Sequence, residues 1–110
     1  MGEKRLGIRI AGNTHQPALL ALVAKGYKLK LEYTKTKDKN DLWYPYLPDW
    51  EAEKDGCVFS ATTPVELLGL VSMWETRGDD WQPRKEESNL YEEMISSAKI
   101  FDFDGNEVDE

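Results

Sequence analysis

Trp50-Glu51-Ala52-Glu53-Lys54-Asp55-Gly56-Cys57-Val58-Phe59-Ser60-Ala61-Thr62-Thr63-Pro64-Val65-Glu66 reads as a hairpin that runs directly into a helix. Asp55-Gly56 favours the left-handed backbone of a two-residue hairpin turn, so Trp50–Lys54 and Cys57–Ala61 are its arms. Thr63, Pro64 and Glu66 then form a helix start: an N-cap, a proline at the first helical position and a glutamate that closes a capping box. The helix runs to about Thr76, and Gly78 stops it. Val65, Leu67, Leu68, Leu70, Val71, Met73 and Trp74 cover most of its circumference, which predicts a largely buried helix. Gly69 in its middle predicts close approach of another backbone.

Upstream, Leu6, Ile8 and Ile10 alternate with Arg5, Gly7 and Arg9, predicting a strand over 5–11. Gly12-Asn13 turns the chain and Thr14 caps a helix that carries Pro17 in its first turn. Gly26 takes the left-handed position after the helix end, so Tyr27 packs back on Leu22. Tyr27, Leu29, Leu31 and Tyr33 alternate with Lys28, Lys30, Glu32 and Thr34, a second strand. Strand, helix and strand in this order predict a parallel pair with a right-handed crossover. Residues 35–41 form a polar loop. Residues 42–50 are aromatic and carry two prolines, which predicts a short edge strand or an ordered loop.

Downstream, Asp79-Asp80-Trp81-Gln82-Pro83 is a loop, and a third helix is expected over roughly 85–98. Leu90, Tyr91, Met94, Ile95 and Ala98 make its apolar stripe. Ile100–Phe103 is a candidate last strand, followed by an acidic tail at 104–110. The expected fold is therefore a single α/β (or α+β) domain spanning 1–110. Its sheet has four or five mixed strands, with about three helices mainly on one face.

The charge is divided. Residues 1–40 hold nine basic and three acidic side chains, and residues 41–110 hold five and eighteen, which sums to −7. An acidic chain is a poor sequence-blind binder of nucleic acid and favours a basic protein partner. The longest apolar run is the seven residues Ala18–Ala24, too short for a membrane span. The N-terminus lacks a signal-peptide core, and the lone Cys57 cannot form an internal disulfide, so a cytoplasmic location is expected.

Chemistry-bearing constellations are sparse. His15 is the one histidine, and with Cys57 it makes neither a triad nor a zinc site; Cys57 reads as a core residue. Asp102–Glu107 holds only a fragment of a calcium-loop pattern and reads as a turn. No cofactor or metal motif is found. Glu75, Asp79 and Asp80, beside Trp74 and Trp81, are candidate acid–base carboxylates for a small enzyme. Arg5, Arg9, Lys28 and Lys30 are predicted to share one sheet face, either solvated or covered by the acidic half of the chain. Trp43, Tyr44, Tyr46 and Trp50 are candidate interface anchors. Asp79, Asp80, Glu86, Glu87, Glu92 and Glu93 are the acids expected to meet a partner.

Phe59-Ser60-Ala61-Thr62-Thr63-Pro64-Val65-Glu66-Leu67-Leu68-Gly69-Leu70, followed by Trp74-Glu75, Arg77-Gly78 and Trp81, resembles small bacterial proteins of the toxin-immunity type. The likeness covers about a quarter of the chain. It implies a stoichiometric inhibitor of a partner toxin, not an enzyme, and assigns no functional residue. The expected function is an acidic protein-binding module that occludes a basic toxin. The alternatives are an enzyme built on Glu75, Asp79 and Asp80, and a homodimer or larger homo-oligomer joined through a sheet edge or the aromatic stretch.

Overall fold

A computed structural model describes residues 6–35 and 46–109. The first helix, α1 (His15–Ala24), follows a single tight turn at Gly12–Thr14. Thr14 Oγ1 accepts from the Ala11 N–H at 2.9 Å, so it closes that turn and leaves the helix N-terminus uncapped. The other end is fully capped. Gly26, at φ 94°, donates to the Val23 carbonyl, and Tyr27 donates to the Leu22 carbonyl. These are the paired bonds of a left-handed helix stop, and they place Tyr27 on Leu22 as the chain enters its first strand. Lys54 Nζ donates to the Lys25 carbonyl at 2.7 Å and lies 5.4 Å from the centre of the Tyr27 ring, tying this corner to the hairpin.

Three strands form one antiparallel meander: β1 (Lys28–Lys35), β2 (Tyr46–Lys54) and β3 (Cys57–Ala61), in the order β1-β2-β3. The hairpin register runs from Lys54↔Cys57 to Trp50↔Ala61, as the Asp55-Gly56 turn predicts. Asp55 and Gly56 both have positive φ, 51° and 83°. The aromatic stretch is not a separate edge element. Its described end, from Tyr46, continues into β2, the central strand, in spite of Pro48. A two-residue turn makes Lys54–Cys57 a hydrogen-bonded pair, so residues 54, 52, 50 and 48 direct their backbone groups towards β3. Since β3 ends opposite Trp50, the absent N–H of Pro48 leaves no ladder bond unmade.

No strand forms over 6–11, the described part of the strand expected at 5–11. Residues 6–10 are irregular, and Leu6 and Ile8 are 83% and 84% exposed. The parallel pair and its crossover are therefore absent among the described residues, and the main sheet has three antiparallel strands in place of four or five mixed ones. Alternation specifies which side chains share a face but not which strand lies alongside. The architecture is a small α+β domain.

The second helix, α2 (Pro64–Arg77), starts at the expected Thr63 N-cap, but Glu66 meets the Thr63 hydroxyl and not its backbone N–H, so the capping box is only half made. Thr63 Oγ1 accepts from the Glu66 N–H at 3.2 Å and donates to Glu66 Oε1 at 3.1 Å. Gly78, at φ 81°, ends it. Helices α1 and α2 lie side by side on one face of the sheet, joined by Lys25–Glu75 at 2.9 Å. The core between them is Leu22, Tyr27, Ala52, Phe59, Leu67 and Val71. Phe59 is its hub, meeting the Tyr27 ring edge-on at 6.0 Å and the Trp74 ring at 5.3 Å.

Helix α2 buries one stripe and leaves Met73 exposed, so it is not enclosed on all sides. Nor is there a close neighbour at Gly69, where an added Cβ meets nothing within 4 Å. Gly69→Ala is therefore expected to stabilise the domain by about 1 kcal/mol, through helix propensity alone. Urea denaturation checks this, and a loss of stability would show that the site is crowded.

The remainder forms a C-terminal arm. Helix α3 (Leu90–Ser97) begins five residues later than its pattern suggests, because Asn89 supplies the cap, accepting from the Glu92 N–H at 3.1 Å. Leu90, Tyr91, Met94 and Ile95, the predicted stripe, are 60–77% exposed and carry no cover among the described residues. The expected acidic tail folds back. Ile100–Phe101 (β4) pairs with Glu107–Val108 (β5) around a turn in which Asp102 Oδ1 accepts from the Asp104 and Asn106 N–H groups.

Candidate functional site

The structure sharpens the charge split. The described body, residues 6–35 and 46–78, has seven acidic and seven basic side chains, a balance of zero. The described arm, residues 79–109, has ten acidic and three basic, a net −7. The chain's acidity is thus concentrated on the arm.

The acids divide by what they touch. Asp79 Oδ1 accepts from the Trp74 indole N–H at 3.0 Å, Asp80 pairs with Arg84 at 2.9 Å, and Glu75 pairs with Lys25 across the helices. The three proposed acid–base carboxylates therefore face three different partners. Glu87 is also engaged, accepting from Arg77 at 2.6 Å and from the Arg84 backbone N–H at 2.8 Å. Glu86, Glu92 and Glu93 remain, exposed and without side-chain hydrogen bonds among the described residues. Glu92 and Glu93 occupy the first turn of α3, where the helix N-terminus favours carboxylates.

Two arginines latch this region to the body. Arg77 donates to the Trp81 and Gln82 carbonyls as well as to Glu87. Arg84 reaches back to the carbonyls of Asp80 and Arg77. Together they fix the 78–89 loop and hence the departure of α3. Beside the latch lies an open cleft of about 1070 Å³, walled by Met73, Trp81, Pro83, Leu90 and Tyr91. The latch escaped the sequence reading because loop contacts have no period; only the density of Arg, Asp and Glu over 77–87 marks it.

The Arg77 hydrogen bond, then the Arg84 N–H, holds the Glu87 carboxyl well below its usual range, at about 2. A pKa lower in the folded chain than in the unfolded chain means stability present above about pH 4.5 and lost as pH falls towards 2. Glu87→Gln should therefore be less stable than the parent chain at neutral pH, with the gap closing in acid. Denaturant titrations across that range test this, and a gap independent of pH would contradict it.

The other predicted residues are dispersed. Arg5, Trp43 and Tyr44 lie outside the described residues. Tyr46 is exposed at the end of β2, edge-on to Tyr33 at 6.3 Å, whereas Trp50 is half-buried against the core. The aromatic stretch thus supplies both surface and core. The predicted basic face is not assembled. Arg9 sits in the irregular segment, while Lys28 and Lys30 lie across from Glu53 and Glu51, and Lys30 also pairs with Glu32 at 2.7 Å. Neutralisation within the sheet replaces a basic patch.

Cys57 packs half-buried against the core and His15 is exposed at the start of α1. Among the described residues no three His, Cys, Asp or Glu side chains converge as a metal site, and no helix is long and apolar enough to cross a membrane. No protein-family model, characterised protein or solved structure matches the chain.

Proposed function

We propose that this chain is a protein-binding module of the immunity type, which occludes a basic partner toxin with its acidic arm. The observation that carries the reading is the separation of charge: a neutral body presents an arm of net −7. Glu86, Glu92 and Glu93 are the contact acids, since Asp79, Asp80 and Glu87 are already committed to internal hydrogen bonds. Trp81, at the latch, supplies aromatic surface beside them. A concentrated field of this kind accelerates encounter with a basic surface and rejects acidic ones. The latch matters because it fixes the loop that carries Glu86 and the departure of the helix that carries Glu92 and Glu93, which limits the ordering cost on binding.

Co-expression with the products of the genes that flank its own, any basic toxin among them, tests the reading. The expected result is a complex that survives gel filtration at moderate salt and dissociates at high salt. Separate elution of the two proteins at low salt would contradict it.

A further inference from the structure

The body and the arm each leave an apolar surface open, and the two surfaces lie at opposite ends. Helix α2 starts at Pro64, beside Trp50 and His15 in a common cleft, and ends beside Lys25 through Glu75. Its 14 residues separate those ends by about 21 Å. At the starting end β3 stops opposite Trp50, but β1 and β2 continue as a two-stranded ribbon to Lys35↔Tyr46. On the ribbon face continuous with the core, Tyr33 is 62% and Tyr46 55% exposed, with Leu31 next to them. Leu6, Ile8 and Ile10 leave α1 at the same end. The arm departs from the other end with the α3 stripe uncovered.

Both pieces need cover. An isolated two-stranded ribbon is marginal in water, and so is an eight-residue helix. Counting roughly 100 Å² for each half-exposed large side chain, the two surfaces offer on the order of 1,000 Å² per copy. Together they reach what a stable dimer buries per partner. The charges agree as well. Lys28 and Lys30 lie on the face opposite Tyr33, across from Glu53 and Glu51, whereas Lys35, at the ribbon tip, lies on the same face as Tyr33 and faces Tyr46 across the ladder, not a carboxylate. The arm that would cover it is acidic.

We propose that two copies of this chain form a reciprocal dimer, in which the α3 stripe of each covers the exposed β1–β2 ribbon of the other. The arm's own ribbon lies at the far end of α2, whereas a two-fold pairing brings each arm to its partner's ribbon and closes both contacts at once. Glu92 and Glu93 lie off the apolar stripe of α3, so the dimer leaves them for the basic partner.

Light scattering and sedimentation of the full chain over a wide concentration range test the proposal. The expected mass is twice 12.6 kDa. Tyr33→Glu and Ile95→Glu alter the ribbon and the arm separately, and each should weaken self-association about thirtyfold. Combining Tyr33→Lys with Ile95→Glu in one chain should recover part of the loss, because opposite charges then meet in both contacts of the dimer. Tyr46→Lys and Met94→Glu form a second pair on the same surfaces. A parent chain that stays monomeric overturns the proposal. So does a dimer unaffected by these changes in variants that circular dichroism shows to be folded.

Discussion

Phe59→Ala is expected to remove about 4 kcal/mol of folding stability. Phe59 holds the strand β3 side of the core, touching Tyr27 at the entry to β1 and Trp74 on α2. Its loss opens a cavity at the one point where both helices and the sheet meet. The core has few other large, fully buried side chains: Leu22, Leu67 and Val71. Domains of this size are stable by only about 5–15 kcal/mol in total, so such a loss takes most of the margin. Urea denaturation of the variant should show a midpoint near or below that of a barely folded chain. Phe59→Leu, which keeps most of the volume, should cost under about 1.5 kcal/mol. A loss below about 1 kcal/mol for Phe59→Ala would mean that the core lies elsewhere.

The second large effect concerns binding. Replacing Glu86, Glu92 and Glu93 together by glutamine should slow association with the proposed basic partner by about 10- to 100-fold at low salt. The three acids are exposed, and glutamine keeps their shape and helix propensity. The folded chain should lose no more than about 1 kcal/mol, from the first turn of α3. The dissociation rate should change less than the association rate, because the effect acts on long-range encounter. High salt should narrow the gap between parent and variant. Stopped-flow mixing measures both rates. Equal association rates for parent and variant at low salt would remove these acids from the interface.

Much of the local structure was legible in the residues. The hairpin register, the Thr63 N-cap, the Gly26 stop with Tyr27 on Leu22 and the Gly78 terminus each rest on chemistry within a few positions of the chain. What was not legible is partnership over distance. Leu6, Ile8 and Ile10 have a strand's alternation, but no neighbouring strand takes them up. Pro48 argued against a long strand, and only the early end of β3 explains why β2 accommodates it.

The candidate site divides the same way. That the chain's second half is acidic was plain, and Glu86, Glu92 and Glu93 stand exposed on the arm. That Asp79, Asp80 and Glu87 are consumed by Trp74, Arg84 and Arg77 depends on how a loop folds over the end of α2, which no spacing rule encodes. The basic face failed for a related reason: a lysine's charge is offset by the strand beside it, and β2 brings Glu51 and Glu53 across from Lys30 and Lys28.

The claim on which the rest depends is that the acidic arm makes this chain a stoichiometric inhibitor. It is tested most directly by titrating a basic toxin captured as its partner with this chain and recording residual toxin activity. The activity should fall linearly to zero at one chain per toxin molecule, and the glutamine variant at positions 86, 92 and 93 should need far more protein at low concentration. A toxin that stays fully active with this protein in excess would contradict the account.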